Sequence, residues 1–179
     1  IIKDLAESGM AVNDIFTKAN EKLCENNESG MFVTAWIGKF DLSTGKLSFA
    51  NAGHNPPIIV HANGECEYLK TRPGFVLAGM EGIKYRENEI TLSKGDRIFL
   101  YTDGVTEATD INETLYGEER LISYIDKNKG LKAEALLSGL KEDIDLFAGD
   151  APQFDDLTML AIQLYYEIQD LIRLKFLEM

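Results

Sequence analysis

The stretch Arg97-Ile98-Phe99-Leu100-Tyr101-Thr102-Asp103-Gly104 passes from a short apolar run to an acidic residue followed by glycine. An apolar run of this length, preceded by the turn Lys94-Gly95-Asp96, is typical of a buried β-strand. Such a strand holds the carboxylate of Asp103 at its end, and Gly104 lets another part of the backbone approach closely. The stretch therefore predicts a core strand with a candidate ligand position at its end.

A second acidic position occurs where the last predicted strand begins, in Gln153-Phe154-Asp155-Asp156-Leu157-Thr158. Two adjacent carboxylates repel each other unless a cation is present, and hard divalent cations prefer oxygen ligands. The alternative is an ordinary turn in which Asp155 or Asp156 accepts hydrogen bonds from backbone N–H groups. Residue chemistry alone leaves both interpretations open, and the same holds for Asp103, which could simply end a strand.

The pattern of apolar and turn residues predicts a strand-rich α+β chain. Residues 1–26 predict two helices interrupted at Ser8-Gly9, and helical spacing returns at residues 118–127 and 132–147. Strands are predicted at residues 31–41, 47–50, 58–60, 66–69, 85–92, 97–101 and 157–164. The first four strands predict a meander, and helices that arrive in pairs argue against a doubly wound parallel sheet. A broad apolar face predicts a further helix at residues 166–179.

Length and charge exclude several classes of function. The 179 residues suit one domain, and 30 acidic against 18 basic residues give a net charge of -12. This charge disfavours nucleic acid and anionic lipid as partners, and no apolar run is long enough to insert into a membrane. Cys24 and Cys66 form neither a metal-binding pair nor a disulfide framework. A cytoplasmic location is expected, whether or not a longer parent protein is tethered to a membrane.

Four motifs together resemble the bacterial PPM-type (type 2C-like) metal-dependent serine/threonine phosphatases, in the branch of sporulation stage II E. Their order and spacing match, and the resemblance runs from residue 1 to about residue 164. The motifs are Asn51-Ala52-Gly53-His54-Asn55-Pro56-Pro57, Tyr101-Thr102-Asp103-Gly104-Val105-Thr106-Glu107-Ala108, Gly117-Glu118-Glu119-Arg120-Leu121 and Gln153-Phe154-Asp155-Asp156-Leu157-Thr158.

The resemblance implies a fold and a division of the chain. The fold is a sandwich of two antiparallel β-sheets flanked by paired α-helices, with a dinuclear metal centre at one end. Residues 1–165 correspond to the C-terminal portion of this domain, so the fold is expected to be incomplete at its N-terminus. Residues 166–179 are then a helical extension.

The resemblance also implies roles for individual residues. Asp103 and Asp155 are expected to bind metal and to serve catalysis, and Asp156 is expected to add an outer ligand. The complete domain would hold two Mn²⁺ or Mg²⁺ ions, and a metal-activated water would attack phosphorus directly. Glu107 is either a neighbour of the metal site or the end of a turn, and His54 is expected to stabilise a turn rather than act as a general acid.

One motif of this family has no counterpart in the 179 residues. In the family, the Asp that bridges both metals lies in a Gly-Asp or Ala-Asp-Val-Ser-Gly motif, before the helix that is predicted to begin at Ile1. The segment alone is therefore expected to lack part of the metal site, and its activity depends on a residue outside it. Sheet edges left exposed by the same shortening predict a homodimer or a rearranged form.

The implied activity is hydrolysis of phosphoserine or phosphothreonine on a signalling protein. The expected partner is a phosphorylated regulatory protein of the anti-anti-sigma type. The alternative is a non-catalytic phosphatase-like module that keeps Asp103 and Asp155 for folding and binds partners through its surface. An Asp-Val-Ser-Gly-type motif upstream of Ile1 would favour the enzyme.

Overall fold

The structure is a computed structural model that describes residues 1–25, 27–153, 155–164 and 175–178, the last four as backbone. It divides the chain into two compact units. The first unit consists of Ile1–His54 and Thr71–Leu92, and the second consists of Asn55–Lys70 and Ser93–Met179. Each unit contains one antiparallel sheet.

The described residues form five helices and eight strands. The helices are α1 (Ile2–Glu7), α2 (Val12–Cys24), α3 (Asp103–Thr106), α4 (Gly117–Lys127) and α5 (Ala133–Ala148). The strands are β1 (Ala35–Asp41), β2 (Lys46–Ala52), β3 (Ile58–Val60), β4 (Cys66–Tyr68), β5 (Asn88–Thr91), β6 (Arg97–Tyr101), β7 (Thr158–Gln163) and β8 (Lys175–Glu178). Across the described ranges, none of the helices combines the length and apolar composition needed to cross a bilayer.

The first unit contains the sheet β1-β2-β5, which packs against α2. Apolar residues of α2 recur on one face, so that Val12 and Phe16 are buried against Ala50 and Ala52 of β2. The β1–β2 hairpin pairs Ala35 with Ala52 and Asp41 with Lys46. Residues 1–54 thus form a helix pair and a hairpin, as the sequence predicts.

The second unit contains the sheet β4-β3-β6-β7-β8, in which β6 lies between β3 and β7. Phe99 of β6 stands opposite Ile58 of β3 and Ala161 of β7, and all three are buried. Helices α4 and α5 contribute to the same hydrophobic cluster through the buried residues Leu121, Ile125, Leu137, Leu140 and Ile144. The run at residues 97–101 is therefore a core strand, as its apolar composition predicts.

The expected α+β class with two antiparallel sheets is confirmed, but the predicted connectivity is partly wrong. β2 has β5 as its second neighbour and β3 has β6, so the first four strands do not form a meander. Residues 103–106 form the short helix α3, which the pattern did not predict. Of the predicted helix at 166–179, residues 175–178 form β8, and residues 165–174 and 179 lie outside the described residues. The division of the chain at residue 165 stays a prediction.

Helix α5 allows the core to be tested with two identical substitutions. Leu140 is 0% exposed and Leu146 is 84% exposed. Leu140→Ala should lower the free energy of unfolding by about 2–5 kcal/mol, because it removes buried methyl groups and leaves a cavity. Leu146→Ala should change it by less than about 0.5 kcal/mol in urea denaturation. Equal losses in both variants would contradict this placement of α5.

Candidate metal centre

The two acidic positions meet because β6 and β7 are antiparallel neighbours. The last pair in the register joins Tyr101 to Met159, so the end of β6 and the beginning of β7 lie at the same edge of the sheet. The pairing continues one step beyond β6, where the Thr102 N–H donates to the Thr158 carbonyl at 3.0 Å. Asp103 directly follows Thr102, and Asp155 and Asp156 lie three and two residues before Thr158.

The hydroxyl group of Thr102 links the two acidic segments. It donates to the carbonyl oxygen of Asp156 at 3.1 Å and accepts the N–H of Thr158 at 3.1 Å. Thr102 lies immediately before Asp103, so this side chain holds the backbone of one acidic position to that of the other. The sequence carries no signal for this role, because the partners of Thr102 lie 54 and 56 residues further along the chain.

Gly104 is a point of close approach between the two segments. A β-carbon at this residue would lie 2.5 Å from the carbonyl oxygen of Asp156 and 3.1 Å from its carbonyl carbon. Real β-carbons do not approach backbone oxygens so closely. The close backbone approach that Gly104 predicts is therefore present, and its partner is the Asp155-Asp156 segment.

Asp103 begins the helix α3 rather than simply ending a strand. Its carbonyl oxygen accepts the N–H of Glu107 at 2.8 Å and the hydroxyl of Thr106 at 3.2 Å. Val105, which is fully buried, anchors this turn in the core. The backbone of Asp103 is thus fixed on both sides, while its side chain is exposed.

The three carboxylates are exposed, and in two of them one oxygen accepts a hydrogen bond from the backbone N–H of the next residue. Asp103 Oδ1 accepts its neighbour's Gly104 N–H at 3.1 Å, and Asp155 Oδ1 accepts the Asp156 N–H at 2.7 Å. Within the described part of the chain, no lysine, arginine or histidine nitrogen lies within 4.0 Å of these carboxylates. One oxygen of Asp155 thus accepts a backbone N–H, as the turn interpretation expects, and one oxygen of Asp103 does the same.

Burial changes sharply between the strand and the acidic residues that follow it. Burial raises the pKa of Tyr101 to about 12, with the nearby charge of Glu118 adding to the effect. Asp103, two residues later, is exposed to solvent. The charged carboxylate of Asp103 therefore keeps its hydration, which it would lose if it were buried within β6.

The donor atoms suit a hard divalent cation, but the described residues do not complete a site. Carboxylate oxygens are the ligands that Mn²⁺ and Mg²⁺ prefer. Within residues 1–25, 27–153 and 155–164, no three or more His, Cys, Asp or Glu side chains are grouped so that they could hold a metal ion. The side chains of Asp103, Asp155 and Asp156 therefore match a hard divalent cation in the chemistry of their donor atoms, and their metal-binding role stays a prediction.

A small cavity of about 40 Å³ adjoins the acidic segment, and it has room for about one or two waters. Glu107 and Asp155 line it together with Gly104, and helix α5 contributes Ile144, Asp145 and Ala148. Glu107 lines the same cavity as Asp155 and also ends helix α3, where its N–H donates to the Asp103 carbonyl, so both interpretations stay open.

His54 belongs to the first unit and stabilises a turn, as expected. Its N–H donates to Asn51 Oδ1 at 2.7 Å, and Asn51 Nδ2 donates to the His54 carbonyl at 2.8 Å. The ring nitrogen Nδ1 lies 3.2 Å from Thr34 Oγ1. Asn51 and His54 thus form a hydrogen-bonded turn at the end of β2.

Comparison with known proteins identifies a family and several relatives. The family of stage II sporulation protein E (SpoIIE) matches residues 1–165. Protein IcfG of Synechocystis is 32% identical over 138 residues, which cover 77% of this chain and 22% of IcfG. Phosphoserine phosphatase RsbU of Bacillus subtilis is 24% identical over 159 residues, 89% of this chain and 47% of RsbU. The chain thus spans less than half the length of either relative.

Solved structures share the fold at low sequence identity. The SiaA-PP2C domain of Pseudomonas aeruginosa has a TM-score of 0.77 and 19% identity, over 93% of this chain and 66% of that one. The catalytic domain of the serine threonine protein phosphatase PstP, in complex with 2 manganese ions, has a TM-score of 0.61 and 15% identity, over 83% of this chain and 68% of that one. This likeness shows that the fold is that of PP2C phosphatase domains.

Two glycines test the close approach at the candidate centre. Gly104→Ala should lower the free energy of unfolding by about 1–3 kcal/mol, because its methyl group must displace the Asp155-Asp156 backbone. Gly130→Ala is the matched control, since a β-carbon there would have no atom within 4 Å and the backbone does not require glycine. It should be neutral or stabilising by about 0.4–1 kcal/mol. Urea denaturation and the amide NMR shifts of Asp155 and Asp156 measure both effects, and unchanged shifts in Gly104→Ala would contradict the proximity.

Proposed function

The chain belongs to the stage II sporulation protein E (SpoIIE) family, and we propose on that premise that the complete protein is a metal-dependent protein phosphatase acting on phosphoserine or phosphothreonine. The observation that carries this proposal is the meeting of Asp103 with Asp155 and Asp156 at one edge of the β6–β7 pair. The relative named phosphoserine phosphatase, RsbU, and the manganese complex of PstP support it.

In this proposal Asp103 and Asp155 are the metal ligands, and Asp156 is an outer ligand. The chemistry that bound Mn²⁺ or Mg²⁺ supplies is a water of lowered pKa and neutralisation of phosphoryl charge. The chain's own contribution is placement: α3 orients Asp103, and the Thr102 hydroxyl holds the Asp156 backbone beside it. Fixing the ligands before the substrate arrives lowers the entropic cost of reaching the reactive geometry.

The remaining ligands are proposed to come from outside the 179 residues. The family's bridging Asp occurs in a motif of the Asp-Val-Ser-Gly type, which this sequence does not contain. Asp103, Asp155 and Asp156 would provide only part of an octahedral coordination sphere. The 179 residues alone would therefore be inactive or nearly so. An added segment with that motif would restore activity.

The proposed substrate is a phosphorylated regulatory protein of the anti-anti-sigma type in the cytoplasm. One observation supports a protein rather than a nucleic acid as the partner, and a second supports a reducing compartment. The net charge of -12 disfavours nucleic acid as a partner, and both Cys24 and Cys66 are free thiols, as is usual in a reducing compartment.

A non-catalytic phosphatase-like module is the second candidate. The observation that favours it is the lack, among the described residues, of three acidic, histidine or cysteine side chains grouped for metal binding. In that case Asp103 and Asp155 would contribute only their local hydrogen bonds to Gly104 and Asp156.

A homodimer of the 179-residue chain is also proposed. β1 pairs with β2 on one side, and no described strand pairs with its other side. Such an edge can pair with the same edge of a second copy. Sedimentation velocity should give about twice the 20.0 kDa chain mass, and a single species of monomer mass at all protein concentrations would contradict it.

Substitution of Asp103 tests the catalytic proposal. In a protein that carries these residues together with the Asp-Val-Ser-Gly-type motif, Asp103→Asn should lower manganese-dependent hydrolysis of a phosphoserine peptide by about a hundredfold or more. Loss of an outer partner of a metal ligand already costs about 10–100-fold in many enzymes, and a direct ligand should cost at least as much. Phosphate release at several manganese concentrations measures the effect.

Asp14→Asn is the matched control, because it removes the same charge from an exposed position in the first turn of α2. It should leave the rate unchanged. Equal activity in Asp103→Asn and Asp14→Asn would exclude Asp103 as a ligand. If the unsubstituted protein neither binds manganese nor hydrolyses the peptide, the non-catalytic module is the correct interpretation.

A further inference from the structure

We infer that the first unit carries an anion-binding pocket, formed by three basic side chains, that accepts a phosphoryl group. The pocket has a volume of about 160 Å³. Its charged lining is entirely basic, and its remaining lining includes two amide side chains and a glycine: Arg72, Lys84 and Arg86, with Asn51, Asn88 and Gly74. The choice of a phosphoryl group over other anions rests on the proposed function, whereas the pocket itself does not.

The pocket is assembled by tight packing of a loop against β2 and Tyr85. The Gly74 N–H donates to the Asn51 carbonyl at 2.8 Å. A β-carbon at Gly74 would lie 2.9 Å both from that carbonyl oxygen and from the ring of Tyr85, so glycine is needed for this approach. Arg72, two residues earlier, is thereby held beside the Tyr85 segment.

Tyr85 places the other two basic residues. Its side chain is 5% exposed and packs edge-on against Phe16 with ring centroids 5.6 Å apart. Its hydroxyl donates to the Val76 carbonyl at 3.3 Å. The neighbours of this anchored residue, Lys84 and Arg86, are exposed and line the pocket. The backbone positions of Lys84 and Arg86 are thus anchored by the core of the unit, while their side chains line the pocket.

Three cations without an acidic neighbour in the lining repel one another. In the described part of the chain, neither Arg72 nor Arg86 forms an ion pair within 4.0 Å. Lys84 lies 3.4 Å from Glu21, but both side chains are exposed, at 72% and 51%, and such pairs contribute little. An anion in the pocket would relieve this repulsion.

The local charge is opposite to that of the whole chain. With a net charge of -12, most of the surface repels an anionic partner, so a basic pocket selects where such a partner docks. Guanidinium groups match a phosphoryl group in shape, since they donate two parallel N–H bonds to its oxygens. Asn51 and Asn88 are further polar residues of the lining.

The test is a titration of the 179-residue chain with inorganic phosphate in the absence of divalent cations, with backbone amide NMR shifts as the readout. Inorganic phosphate should shift the backbone amides of Gly74 and Asn88, and the double variant Arg72→Gln/Arg86→Gln should weaken binding about tenfold. The double variant Lys18→Gln/Lys22→Gln is the matched control, because it removes two charges of the same unit outside the pocket. It should change the affinity less than about twofold.

A phosphoserine peptide and its unphosphorylated counterpart distinguish the source of the phosphoryl group. Shifts with the phosphopeptide beyond those of free phosphate indicate a phosphorylated protein segment, and equal shifts indicate a site for the free ion. No shift at Gly74 and Asn88, or equal weakening in the two double variants, would overturn the pocket.

The Asp103→Asn variant separates this inference from the proposed function. Without metal, it should bind phosphate as the unsubstituted chain does. If phosphate binding requires manganese and disappears in Asp103→Asn, the ligand occupies the metal centre, so the pocket is overturned and the proposed function is supported. If binding persists but the protein with the additional motif hydrolyses no phosphopeptide, the proposed function fails and the pocket remains.

Discussion

The antiparallel register of β6 and β7 brings Asp103 to the same sheet edge as residues more than fifty positions later in the chain. The side-chain period of a strand is two residues, so a slip of one residue would turn Phe99 and Met159 away from the core. The hydrophobic cluster therefore fixes the register, and the register fixes the relative positions of the acidic segments. The Thr102 hydroxyl then binds the Asp156 carbonyl, and the absence of a side chain at Gly104 lets the Asp156 backbone approach closely.

The second unit combines a buried apolar interior with exposed carboxylates at one edge of its sheet. Tyr101 is buried at the end of β6 and Val105 is buried within α3, whereas Asp103 between them faces solvent. Buried neighbours on both sides limit backbone motion at the acidic residue without removing water from its carboxylate. The carboxylate of Asp103 is thus exposed to solvent on a backbone that is anchored in the core.

The local sequence pattern was sufficient to predict most helices and strands but not which strands pair with each other. The run at residues 97–101 and the helix pair at residues 117–148 follow from apolar spacing, which depends on neighbours in the sequence. The pairing of β2 with β5 instead of β3 depends on packing across the unit, for which period-two alternation carries no information. Helix α3 was missed because Gly104 and the β-branched residues after it have low helix propensity, which the burial of Val105 overrides.

The candidate centre was predictable to a similar extent. Asp103, Asp155 and Asp156 were found from their positions at strand ends and from the family resemblance, and the structure brings their backbones together. The linking role of Thr102 and the basic pocket were not predictable, because each joins residues that are distant in the sequence or separated by a buried anchor such as Tyr85.

The local hydrogen bonds of the carboxylates affect which cation they suit. One oxygen of Asp103 and one of Asp155 each accept an adjacent backbone N–H, so bidentate coordination of a single ion would compete with those bonds. Ca²⁺ commonly takes both oxygens of a carboxylate in a large and irregular shell, whereas Mg²⁺ takes one oxygen per group in a compact octahedron. In the proposed centre, one oxygen of Asp103 and one of Asp155 lie outside these hydrogen bonds, which would suit ligation of an octahedral ion through a single oxygen of each group.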